Sequence, residues 1–114
     1  MDNNANQLAS EIILTAIKDY QAAYALYKGL DLYGAVTRVK EACENLNMKY
    51  CRHHKTGLKL MRELEEFFCS DWFQTLSENL DIPKDPEKLI EQIKKATVSR
   101  ANDTSGQNLR KDKP

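Results

Sequence analysis

A chain of 114 residues, 41% apolar and 30% charged, has the make-up of one ordinary globular domain that can bury a core without metals or disulfides. Lys plus Arg and Asp plus Glu each number 17, so the formal net charge is zero. That argues against a protein devoted to coating nucleic acid or an anionic membrane, while leaving room for a local basic patch.

No run approaches the ~18 apolar residues of a membrane span. The start, MDNNANQLAS, is polar and lacks the basic residues of a signal peptide. Three cysteines, all in helical-looking sequence, read as reduced thiols of a cytoplasmic protein. Strand signals are absent. Four Gly and three Pro punctuate what reads as an all-α small helical bundle.

The first segment, NQLASEIILTAIKDYQAAYALYK, predicts an amphipathic helix with Ala9, Ile13, Ala16, Ile17, Tyr20, Ala23, Tyr24 and Tyr27 on one face. Gly29 after Lys28 is a C-terminal stop. GLDLYG is a connector, with Asp31 as the expected N-cap of the next helix.

From Val36 onward, steps of three and four residues meet Val36, Val39, Cys43, Leu46, Tyr50, His53, Gly57, Leu60, Leu64 and Phe67. Eight of these ten are apolar, counting Cys and Tyr. Such a stripe predicts a long central helix over about 33–69, near 50 Å at ~1.5 Å per residue, with the first helix packed along it. The alternative is two helices broken in the polar stretch CRHHKTG.

All three Phe and the single Trp lie in EEFFCSDWFQTL, residues 65–76. Ser70 followed by Asp71 is a good N-cap and first-turn acid, so the long helix should end near Cys69 and a short helix should leave at an angle. Phe67, Phe68, Trp72, Phe73 and Leu76 then form an aromatic corner. On this reading Phe68→Ala or Trp72→Ala costs ~3–5 kcal/mol.

A last helix starts at Asp85–Pro86–Glu87 and carries Leu89, Ile90, Ile93 and Val98 inward. Beyond it there is little to bury. The expected organisation is a helical domain, 1–98, and a disordered tail, 99–114.

The pattern Glu65-x-Phe67-Phe68-x-Ser70-x-Trp72-Phe73-x-x-Leu76 resembles that of a group of short helical proteins from phages and prophages of Gram-positive bacteria. In that group an N-terminal helix like AIKDYQAAYALYK precedes the motif and a helix like EKLIEQIKK follows it. The connector between Ala35 and Leu60 is longer than the group's, and NLDIPKDP replaces its short Asp-Gly turn. The resemblance implies a setting, the cytoplasm of an infected or lysogenic bacterium, and an accessory role. Small phage proteins of this kind often bind a host protein, defence-system proteins included. It implies no activity.

The chain offers little for catalysis. Cys51 and His54 would share a helix face, and Cys and His can bind zinc. No Cys-x-x-Cys or His-Glu-x-x-His accompanies them, and nothing suggests an oxyanion hole. We therefore expect no catalytic residue, no metal and no cofactor. Glu41, Glu44, Glu65 and Glu66 read as solvated. Tyr20, Tyr24 and Tyr27 read as core with hydroxyls at the rim, the alternative being a stacking surface for bases.

Arg52, Lys55, Lys59 and Arg62 form the candidate interaction face. The expectation is a non-enzymatic protein that binds a bacterial protein partner. A second copy could cover the exposed end of the long stripe as a homo-oligomer. The alternative is nucleic-acid or nucleotide binding through the Lys/Arg face.

Overall fold

The computed structural model describes the backbone of residues 2–51 and 53–112, and the side chains of residues 7–51 and 53–101. The chain is all-α: α1 (Asp2–Lys28), α2 (Ala35–Asn45), α3 (His54–Phe68), α4 (Asp71–Ser77) and α5 (Pro86–Asp112). No strand occurs among the described residues.

α1 is the spine against which all four other helices pack. Its inward face is the one expected: Ala9, Ile13, Ala16, Tyr20 and Ala23 are buried, and Ile17, Tyr24 and Tyr27 are half-buried. α1 ends at Gly29, which takes φ +71°. There Leu30 N–H reaches back to Ala25 O at 2.8 Å and Gly29 N–H to Leu26 O at 3.4 Å, a Schellman turn.

The continuous helix over 33–69 is not formed. α2 stops at Asn45, and residues 46–53 form a connector before α3. The cause is a second Schellman turn, made without glycine. Asn47 adopts φ +56°, Met48 N–H bonds Cys43 O at 2.8 Å, and Asn47 N–H bonds Glu44 O at 3.2 Å. Asparagine is the commonest non-glycine residue in this left-handed position. α2 also begins differently from expectation, since Gly34 at φ +78° and not Asp31 holds the N-cap position.

Breaking the stripe lets both halves fold inward. Val39, Cys43 and Leu60 are wholly buried within one chain, while Leu46 of the same stripe stays 46% exposed. Gly57, at the weak point of the stripe, marks the crossing of α1 and α3. A Cβ there would lie 2.5 Å from Ala23 O and 2.9 Å from Tyr27 N. Backbone meets backbone at this point, which only glycine permits.

The aromatic corner is formed. Ser70 Oγ accepts from Phe73 N–H at 3.1 Å and donates to Phe67 O at 2.6 Å, turning the chain into α4. The Phe67 ring centre lies 5.6 Å from Phe68, 5.6 Å from Trp72 and 5.7 Å from Phe73, edge-on to the last two. Phe68 and Phe73 are wholly buried, and Leu76 packs half-buried beside them. Trp72 is the exception: it is 57% exposed. It touches the corner from outside, so the large stability cost expected of Trp72→Ala falls to Phe68 alone.

Asp85 Oδ1 accepts from Glu87 N–H at 3.1 Å and starts α5. Its buried residues, Leu89, Ile93, Thr97 and Ala101, step by four along one side. The α5 backbone runs past Val98, where the last helix was expected to end, to Asp112. Ala101 prolongs the buried stripe by a turn, which a search for large apolar residues passes over. The Thr97 hydroxyl is satisfied by Ile93 O at 2.7 Å.

Candidate functional site

α2 covers one side of α1 from Asp19 toward the C-terminus. Arg38 donates to Asp19 Oδ1 at 2.8 Å, and Ala22 and Ala25 are buried. Where the chain turns away at Asn47, that cover stops. Ile12, Thr15 and Ala16 of α1 then face Glu63, Leu64 and Phe67 of α3 across an open groove. The end of α2 contributes Ala42, Asn45 and Leu46, and Trp72 of α4 completes the lining of a hollow of about 230 Å³.

Leu46 is 46% exposed here and Trp72 57%. Single exposed apolar side chains are ordinary, but a contiguous apolar groove with an accessible Trp is the usual form of a docking surface. The Trp72 ring is held edge-on by Phe67 at an interplanar angle of 79°, so it is oriented without being covered.

Among the described residues two charged side chains line the groove, Asp19 and Glu63, and both are acids. Burial raises the Asp19 carboxyl above its ordinary pKa, an effect larger than the opposing pull of Arg38.

The basic residues singled out from sequence stand elsewhere. Lys55, Lys59 and Arg62 are exposed on one side of α3, while Arg52 lies outside the described residues. Glu63 and Glu66 follow Lys59 and Arg62 by four residues on the same helix. The face is therefore mixed in charge rather than a positive stripe.

His53 Nδ1 accepts from Lys55 N–H at 3.1 Å and caps α3. Cys51 precedes the helix, so Cys51 and His54 do not share a helical face. Cys43 is buried, which pushes its thiol pKa up, while Cys51 and Cys69 are exposed. Among the described residues no group of three or more His, Cys, Asp or Glu is placed to hold a metal ion. Nor is any helix among them long and apolar enough to cross a membrane.

Tyr20 is not a stacking surface: wholly buried, it donates to Glu65 Oε2 at 2.5 Å. Glu65 is thus a core-facing acceptor rather than a solvated acid. A second, polar hollow of about 220 Å³ is lined by Lys18, Arg38 and Arg100, with the fully exposed Tyr33 at its edge.

Sequence reasoning missed the apolar groove because its α1 wall, with Ile12 and Thr15, belongs to a second stripe beside the core stripe. The signal for it was an apolar face on the first helix wider than one partner helix can cover.

No protein-family model, no curated protein and no solved structure matches this chain.

Proposed function

We propose that the protein is a non-enzymatic phage or prophage accessory protein that acts by binding a bacterial protein partner, a host or defence-system protein among the options. The observation that carries the binding part is the groove: Trp72 and Leu46 stand exposed at the edge of a contiguous apolar hollow. Partly exposed aromatics beside packed apolar walls are where binding energy concentrates at protein interfaces. The phage setting rests on the resemblance of Glu65–Leu76.

The test is capture from a Gram-positive bacterial lysate by the tagged full chain, run beside Trp72→Ala and Leu46→Asp. A protein retained by the wild type and lost with both variants is the expected result. Retention of nothing, or only of nucleic acid that salt removes, would overturn the reading.

One observation favours a second reading, nucleotide or nucleic-acid binding. It is the hollow lined by Lys18, Arg38 and Arg100, a basic lining with an exposed tyrosine beside it. Arg38 is already engaged by Asp19, which weakens it.

A further inference from the structure

We infer that the groove receives an amphipathic α-helix of the partner, apolar on one face and flanked by lysine or arginine, seated as a continuation of the α2 layer. This rests on the protein-binding reading above. Three observations carry it.

The first is shape. Leu8, Ile12, Thr15 and Asp19 step by four, three and four along one side of α1. α2 holds the last of them through Arg38, borders Ile12 and Thr15 only with its final residues, and ends at Asn45. The uncovered part runs from Leu8 to Thr15 opposite Leu64 and Phe67, about 10 Å of helix at ~1.5 Å per residue. Two to three turns of a further helix would extend the α2 layer over it.

The second is the backbone. Both walls are helices whose N–H and C=O groups bond within their own helix. The groove therefore has no ladder of free backbone groups for an extended peptide. A segment entering it must bring its own backbone bonds, and a helix does.

The third is charge. Among the described residues the charged ones of the lining are Asp19, already paired with Arg38, and Glu63, so a cation at the edge of the incoming helix matches Glu63 and a carboxylate does not.

The experiment is selection of a displayed library of random 16-residue peptides on the immobilised full chain, with the Trp72→Ala/Leu46→Asp double variant as the counter-target. Circular dichroism first confirms that the variant is folded. The expected winners carry apolar residues at i, i+3, i+4 and i+7, with Lys or Arg rather than Asp or Glu beside them. They should turn helical on binding and shift the emission of Trp72, the single Trp of the chain. Glu63→Lys should weaken them about two- to five-fold, and Trp72→Ala about 30-fold or more.

No enrichment over the counter-target would overturn the inference, as would winners that are acidic or proline-rich. So would light scattering that shows a dimer abolished by Trp72→Ala, which would seat a second copy there. If the inference fails while the wild type still captures a bacterial protein, the binding reading survives and the docking surface lies elsewhere.

Discussion

The two halves of α1 are treated differently by the fold. Past Asp19, alanines and the Gly57 crossing bring α2 and α3 so close that a single added carbon has no room. Before Asp19, Ile12, Thr15 and Ala16 of α1 and Trp72 of α4 line an open hollow of about 230 Å³. One helix is thus packed to its limit at one end and left open at the other. The packed end sets stability, and the open end carries the groove for which an interface is proposed.

That contrast can be broken in graded steps. Phe68→Ala, in the packed region, should destabilise by ~3–5 kcal/mol, read by chemical denaturation with circular dichroism. Gly57→Ala should cost about 2–3 kcal/mol, because the new methyl meets α1 backbone rather than a yielding side chain. An unchanged midpoint for Gly57→Ala would mean that α1 and α3 do not cross there.

Tyr20→Phe should cost about 1–2 kcal/mol by leaving Glu65 without its buried donor. The same residue gives a pH signature. Burial first, then the bond to Glu65, raise the Tyr20 phenol far above its ordinary value of 10.0. A raised folded pKa means that this stabilisation is complete below pH 10 and is lost as the pH climbs beyond it, where the unfolded chain gives up the proton. Stability measured from pH 9 to 11 should therefore fall more steeply for the wild type than for Tyr20→Phe.

Trp72→Ala should cost less than ~1 kcal/mol, since the ring is mostly outside the core, while abolishing capture of the partner. If it proved as costly as Phe68→Ala, the groove would be core and not docking surface.

What could be read from sequence follows the same division. The inward face of α1, the Ser70 turn and the Asp85 cap were legible because each rests on local chemistry: periodicity, a hydroxyl acceptor, a carboxylate acceptor. Gly29 and Asn47 end helices by the same pair of backbone bonds, yet only Gly29 was readable. Glycine announces a left-handed residue, whereas asparagine is equally at home on a helix surface. A seam at 3.5-residue spacing ran straight through Asn47, and periodicity alone could not show that the backbone reverses there. Trp72 misled for a different reason. Its size predicts burial, but burial depends on whether a neighbouring helix covers it, and that is set by where α2 stops.

The position of α1 as the spine has a consequence for how the chain is made. On the ribosome α1 leaves the tunnel well before α3, whose Glu65 answers Tyr20 across 45 residues of sequence. At ~5–20 residues per second, the apolar face of α1 waits some seconds with nothing durable to lie against. During that interval the strip that later becomes the groove is continuous with the strip that becomes the core. A nascent chain would present both to whatever chaperone stands at the tunnel exit, and only the arrival of α3 separates the surface that becomes core from the surface that stays open.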